Sequence, residues 1–513
     1  MNLIEKLLLI GLIFCLSCNL ITAQSIDIQS IDNQTKTINP KETQQYYLNI
    51  KKDELAFMRF EQKDADVVIQ VKNPDGKLLM QFDTGNGKQG PELVQVIPNR
   101  DGAYQIEVSA IEEQKKAGKY SFHFEKKIKK AASYAEQLHQ IFEYWEEKAF
   151  IPGFATAIVT KDKVLLQEAY GYANLADQKP YTLETIQNIG SVSKTLIGIS
   201  LMKAVEDGKI ALDDPINQYL PYEVVNPRFP NTPITIRQLA NHTSSIAEMD
   251  KYEMTYILKE AFIYQKGEIS KDEYEEMRYY TKNKKRSMAN FLKALLAKNG
   301  DLYSKKNYLK HEPGSKYAYS NAGATLAAHI IEIVYDLSYA EFTKQHILEP
   351  LGMSGTGWSY ETIDASKHTN LHFINKKVIP KYTLITYPDG GLLTNVVDLS
   401  KYLQNQMKGY YGEGTLISSP SYQEMMKPSL SEAQQTRKSR NYGIFWEFTG
   451  DHIGHNGGDP GAIAFIRFDP ESGVGRVMMM NIIPNHPNAL EQFKAIWGLM
   501  GDFGEVIKKQ AEE

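Results

Sequence analysis

Cysteine is nearly absent from this 513-residue chain: there are two, Cys15 and Cys18, both close to the N-terminus. A chain that loses that segment has no thiol, which excludes disulfides, thiolate catalysis and cysteine-ligated metal from its working form. An excess of basic residues is missing too. Lys plus Arg is 58 against 62 for Asp plus Glu, a formal net charge of −4. Nothing in that balance neutralises a phosphate backbone, which argues against nucleic acid as a partner. Membrane-length apolar runs are lacking. The run from Leu7 to Leu16, broken only by Gly11, is half of the roughly 20 residues that a bilayer span needs. What is present is ordinary for a soluble globular protein: 42% apolar and 23% charged residues, which excludes a disordered chain and a polytopic membrane protein. Aromatics reach 11%, with 31 tyrosines, a richness that suggests a solvent-facing groove.

The short apolar run follows Lys6 and precedes Ile21-Thr22-Ala23, a small-residue cleavage site before Gln24. That is the pattern of a secretory signal peptide over residues 1–23. Lipid attachment at Cys18 is the rival, but Cys15-Leu16-Ser17 is a poor sequence to precede a lipidated cysteine. The reading is an exported protein, periplasmic or secreted, with no transmembrane segment in the mature chain.

Residues 24–125 alternate as strands do. Tyr104, Ile106 and Val108 share one face, and Tyr120, Phe122 and Phe124 repeat the pattern. Asn73-Pro74-Asp75-Gly76 between Val67–Val71 and Leu78–Phe82 is a turn with a mechanism, because Pro presets φ and Gly accepts a positive one. These features predict an accessory β-sandwich of about 100 residues. The charged stretch Glu125 to Lys130 predicts a boundary, with 126–134 as a linker or helix start. From 135 to 508 the expectation is a second, α+β domain. It has an amphipathic helix over Ser133–Glu147, a hairpin of Phe154–Ile158 with Val164–Ala169, and a helical middle. Strands near Ile444–Phe448, Ile453–His455, Ala462–Phe468 and Val474–Met480 follow, and a helix over Leu490–Ile507 closes the chain. Strands at both ends imply one antiparallel sheet flanked by terminal helices. Residues 246–310 read as a helical, Tyr-rich insertion, with Tyr252 and Tyr256 among its tyrosines.

Three short motifs carry chemistry. Ser191-Val192-Ser193-Lys194 opens an apolar helix that stops at Asp207-Gly208. Residues three apart share a helix face, so Lys194 reaches the Ser191 hydroxyl. Apolar burial and the positive helix end favour a neutral amine that accepts the serine proton. Ser200-Leu201-Met202-Lys203 has the same spacing, but Ser200 lies mid-helix, where a hydroxyl merely bonds the preceding turn. Tyr319-Ser320-Asn321 follows the Pro313-Gly314 turn and opens another helix, placing a phenol where it can pass a proton to a leaving group. His455-Asn456-Gly457 sits among Gly454, Gly458 and Gly461. On a strand His452 and His455 point to opposite faces, so one imidazole at most faces the site. The glycines allow close backbone approach and expose N–H donors.

Taken together and in this order, these motifs resemble the serine β-lactamase and penicillin-binding-protein superfamily, in its class C-like branch of β-lactamases, D,D-peptidases, aminopeptidases and esterases. Ile234-Thr235-Ile236-Arg237-Gln238-Leu239 running into His242-Thr243-Ser244, then Glu349-Pro350-Leu351-Gly352-Met353 and Gly390-Gly391-Leu392, look like the family's fold-defining segments. The resemblance spans about Glu136 to Met500. It implies that Ser191 is acylated with Lys194 as base and that Tyr319 relays protons. Asn321 contacts substrate or Lys194, and the N–H groups of Ser191 and Gly458 form the oxyanion hole beside Gly457. It implies no metal and no organic cofactor, and a small-molecule or peptide substrate. Two positions depart from the pattern. His455 stands where many relatives have Lys, and Ser245 stands where the family usually has Gly, which predicts a reshaped loop. An ordinary imidazole titrates near 6.5, so His455 predicts weak turnover of anionic β-lactams at neutral pH and a preference for anions that grows towards pH 6. The function implied is an exported serine hydrolase acting on an ester, amide or peptide bond. A β-lactamase is the alternative within the class, and a catalytically weak ligand-binding or sensing protein the alternative outside it.

Overall fold

The computed structural model describes residues 26–83, 88–111, 114–147, 150–248, 252–437 and 440–513. Residues 1–25, with Cys15, Cys18 and the expected signal peptide, lie outside them. The chain divides into two compact units, residues 1–131 and 132–513.

The first unit is a β-sandwich of two four-stranded antiparallel sheets. One sheet has β1 (Thr35–Ile38), β8 (Gly118–Lys129), β3 (Glu54–Lys63) and β6 (Gln89–Val96) in that order. The other has β2 (Thr43–Ile50), β7 (Gly102–Ala110), β4 (Val67–Lys72) and β5 (Leu78–Phe82). Alternation is the cause: Tyr104, Ile106, Val108, Tyr120 and Phe122 are fully buried in one core shared by both sheets. The Asn73–Gly76 turn forms as expected. The Asn73 side chain accepts the N–H groups of Asp75 at 3.0 Å and Lys77 at 2.9 Å, and Gly76 takes a φ of +80°. The charged run from Glu125 departs from expectation. It is the end of β8, with Lys126 paired to Phe57 and Ile128 to Leu55. The ladder offered by β3 outweighs the solvation of the lysines, of which Lys127 is half-buried and donates to the Asn49 carbonyl at 2.9 Å.

The second unit is built on an eight-stranded antiparallel sheet. In spatial order its strands are Lys179–Pro180, Val164–Asn174, Gly153–Val159, Val474–Met480, Ala462–Asp469, His452–Asp459, Glu447–Thr449 and Arg440–Tyr442. Strands from both ends of the segment pair directly, with Val477 opposite Ala157. The sheet is covered on both faces. A Cβ on Gly475 would press on Met407 and Leu403 of the Val396–Tyr410 helix, whereas neighbouring Val474 meets Gly504 of the C-terminal helix Pro487–Glu512. Helix α1 (Tyr134–Glu147) accompanies the C-terminal helix, as the terminal-helix reading requires.

Two expectations change. No single strand covers Ile444–Phe448. The chain turns at Gly443–Trp446, where the Gly443 N–H donates to the Trp446 carbonyl at 2.8 Å and Phe445 has a φ of +56°. Phe445 and Trp446 are apolar because the turn drives them into the core, both fully buried. The 246–310 segment is only partly helical. Besides Lys271–Tyr280 and Met288–Leu296 it carries a strand, Tyr256–Leu258, paired with Tyr382–Leu384.

Candidate active site

Helix α2 (Lys194–Glu206) is buried along most of its length because Leu196, Ile197, Ile199, Leu201 and Met202 surround it with apolar surface. Its N-terminal end is a tighter 3₁₀ turn over Gly190–Ser193, and Ser191 sits in that turn. Gly190 adopts a φ of +50°, and a Cβ there would fall 2.6 Å from the Gly458 nitrogen. A Cβ on Gly457 would fall 2.0 Å from the Ile189 carbonyl and 2.6 Å from the Ser191 nitrogen. The glycines of the His452–Asp459 strand thus let its backbone lie directly against the turn that carries Ser191. Ser200, the decoy, bonds the Leu196 carbonyl one turn back at 2.8 Å.

Lys194 is fully buried, with its Nζ 2.9 Å from Ser191 Oγ and 2.5 Å from the Asp389 carbonyl oxygen. Burial lowers the pKa of this amine, against the opposing charges of Asp389, Glu248 and Asp459. The Tyr319 ring lies 5.2 Å from the same Nζ, with the Ser191 hydroxyl as a neighbour that favours the ionised phenol. Burial pushes the phenol upward, so it is neutral and able to pass on a proton. Asn321 is the first residue of α3 (Asn321–Tyr335). Its backbone N–H donates to Glu248 at 2.9 Å, and its side-chain oxygen is buried without a protein partner.

His455 faces inward and is 2% exposed, while His452 is half-buried. Nδ1 lies 2.7 Å from the Asn456 carbonyl, which can only accept, so Nδ1 carries the proton. Nε2 is then an unprotonated acceptor, buried and unpartnered. Burial, the largest cause, lowers this imidazole to about 4. The expectation of a group half-charged near 6.5 is corrected: His455 is neutral throughout the range from pH 6 to 8. Ser245 takes a left-handed conformation, φ +59°, which side chains disfavour, and its hydroxyl accepts from Asn226 at 2.9 Å.

Sequence reasoning missed a second layer. The Tyr-rich segment sends Tyr252 to the Asp389 carboxylate at 2.5 Å and Tyr256 to that of Asp459 at 2.7 Å. Thr325 also donates to Asp389, at 2.8 Å. Both acids are buried, and burial raises both, Asp459 to about 7. Asp389 directly precedes the Gly390-Gly391 pair noted in the sequence, and Asp459 directly follows Gly458. Adjacency to those glycines was the available signal.

The sequence profile described as Beta-lactamase matches residues 138–499. The chain belongs to the beta-lactamase family. Among curated relatives, "Protein flp" of Staphylococcus aureus strain MW2 is 24% identical over 357 residues, covering 68% of this chain and 63% of that protein. The human "Serine beta-lactamase-like protein LACTB, mitochondrial" is 27% identical over 315 residues, 53% of this chain and 56% of that one. The chain therefore spans less than two thirds of the length of these relatives. Two solved structures share the fold. A penicillin-binding protein homologue from Pyrococcus abyssi, titled as octameric, has a TM-score of 0.54 at 23% identity, covering 71% of this chain and 77% of that one. A penicillin binding protein from Bacillus halodurans has 0.51 at 22%, covering 71% and 99%. This family's α+β fold follows the N-terminal sandwich, and the three chemical motifs recognised in the sequence lie within the matched span.

Proposed function

We propose that the protein is an exported serine hydrolase that opens an ester, amide or peptide carbonyl through an acyl-Ser191 intermediate. The observation that carries this reading is the buried Lys194 amine, 2.9 Å from the Ser191 hydroxyl. A neutral amine has one lone pair. It accepts the Ser191 proton while an N–H stays on the Asp389 carbonyl, and Ser191 Oγ attacks the substrate carbonyl carbon. The N–H groups of Ser191 and Gly458 are assigned to the resulting oxyanion, a role in which one donor is typically worth about 3 kcal/mol. The proton returns from Lys194, through Tyr319, to the leaving oxygen or nitrogen. Water then repeats the sequence to release the acid. Asn321 and His455 line the substrate's path and offer acceptors there. A neutral His455 supports substrates that are uncharged, or that donate a hydrogen bond at this point, over the carboxylate of a β-lactam. On that ground β-lactamase activity is the second reading.

A fluorophosphonate probe tests the proposal: a single adduct is expected on Ser191, lost in Ser191→Ala and kept in Ser200→Ala. Labelling that survives Ser191→Ala would refute it. For export, the expected N-terminus of the cellular protein is Gln24; Met1, or a lipid on Cys18, would contradict that assignment.

A further inference from the structure

His242 belongs to a segment that the chemistry above leaves unused, and its surroundings are unlike those of a packing residue. It is 1% exposed and held at a φ of +58°, a region that non-glycine residues seldom enter. The strained backbone is fixed from both sides. Thr243 N–H donates to the Gln238 carbonyl at 2.8 Å, and Ala318 N–H donates to the His242 carbonyl at 2.7 Å. That second bond ties the loop to the residue just before Tyr319. The side chain then turns onto the same motif. The Ser320 N–H lies 3.2 Å from Nδ1, and because a backbone N–H can only donate, Nδ1 is the bare nitrogen and Nε2 bears the proton. The ring lies against Tyr319, with centroids 4.3 Å apart and planes inclined by 31°. Tyr317, Tyr442 and Phe445 meet it edge-on at 6.0, 5.6 and 5.6 Å and close the box. Nε2 is buried without a partner. A histidine present only to fill space would leave no nitrogen unpaired, and a phenylalanine would fill the box at lower cost.

We propose that His242 is a positioning residue for Tyr319: by accepting the Ser320 N–H and backing the phenol ring, it fixes the tyrosine hydroxyl over Ser191. The inference rests on the hydrolase reading of Ser191 and Tyr319, and its test separates the two. Ser191 labelling rates with a fluorophosphonate are measured for the full chain and for His242→Phe, Tyr319→Phe, their double variant and His242→Asn, with Tm for each. Displacing the phenol is expected to slow labelling about ten- to a hundred-fold in His242→Phe. The same change added to Tyr319→Phe is expected to alter the rate less than about two-fold, since a residue acting through Tyr319 has nothing left to position. His242→Asn, whose amide oxygen reaches the Ser320 N–H and whose backbone tolerates positive φ, is expected to restore most of the rate. Equal slowing of wild type and Tyr319→Phe would overturn the proposal, because a merely structural histidine acts additively. A readout free of catalysis accompanies it. In ¹⁵N-histidine-labelled protein, the signal lost in His242→Asn should show a bare Nδ1 and a protonated Nε2. A protonated Nδ1 would overturn the assignment even if Ser191 labels normally. If Ser191 takes no adduct, the hydrolase reading fails and the tautomer alone decides for or against the hydrogen bond to Ser320.

Discussion

The sandwich and the surroundings of Ser191 treat buried polar groups differently. In the sandwich the buried Glu107 carboxylate meets an opposite charge, the partly exposed Lys72, whose Nζ lies 2.6 Å away. Its buried phenols also meet, with the Tyr46 and Tyr120 hydroxyls 2.8 Å apart, one donating to the other, and the Gln44 side-chain oxygen within 2.9 Å of both to accept the remaining proton. Around Ser191 the buried ionisable groups hydrogen-bond neutral partners, whereas elsewhere in the same unit buried Glu447 pairs with Arg440 at 2.6 Å and buried Asp398 with Lys401 at 2.9 Å. Lys194 reaches a hydroxyl and a carbonyl, whereas Asp389 and Asp459 receive tyrosines. A paired charge keeps its charge, whereas one buried among neutral dipoles is driven to its neutral form. The first arrangement stabilises a fold. The second favours the unprotonated form of an amine beside a serine, as the proposed base requires.

The largest expected contrast comes from removing one lysine in each unit. Lys194→Met should reduce Ser191 labelling about 10³-fold while Tm holds or rises, since a long apolar chain replaces a buried amine. Lys72→Met should leave labelling unchanged and cost up to about 1 kcal/mol in urea unfolding, as expected for a partly exposed pair. A stability loss in the first variant without a rate loss would erase the distinction.

Asp459 sharpens the contrast through pH. Its folded-state pKa is raised from 3.8 to about 7, so the native state holds a proton that the unfolded chain has released. Stability then falls as pH rises from about 4 to about 7 and is flat above. Asp459→Asn mimics the protonated acid and keeps an acceptor for Tyr256. It should stabilise the protein by about 4 kcal/mol at pH 8 and hardly at all at pH 4, read from urea melts at both values. His455, lowered to about 4, works in the other direction, costing stability as pH falls from about 6.5 to about 4, and the mutant comparison subtracts it. The smallest effect belongs to the sandwich. Tyr46→Phe breaks one closed phenol pair and should cost about 1 kcal/mol, with no change in labelling at any pH.

The sequence disclosed whatever depends on local period or on residues close in the chain. Alternation gave the strands of the sandwich, and the 3.6-residue period gave the buried helix that begins after Ser191. The glycines around His455 marked a backbone packed against that helix. What stayed hidden depends on distant partners. Nothing in Glu125–Lys130 announces that β3 will pair with it, so a strand end reads as a linker. Ile444–Phe448 is apolar enough for a strand, yet its hydrophobicity serves a turn pressed into the core. Tyr252 and Tyr256 stood out no more than the other tyrosines of the insertion, because the carboxyls they meet lie far along the chain, at Asp389 and Asp459. The charge state of His455 was misjudged for a related reason: an ordinary imidazole value assumes water, and burial supplied none.

The central claim is that Lys194 is a neutral amine acting as base for Ser191. Its most direct test is the rate of fluorophosphonate labelling of Ser191 against pH, from 5 to 11, in the wild-type chain. With the amine depressed by burial, the rate should rise and reach its plateau below the range near 10.4 where an ordinary lysine titrates, and the rise should vanish in Lys194→Met. A rate that keeps climbing through 10.4, or a profile unchanged by Lys194→Met, would show that Lys194 is not the base.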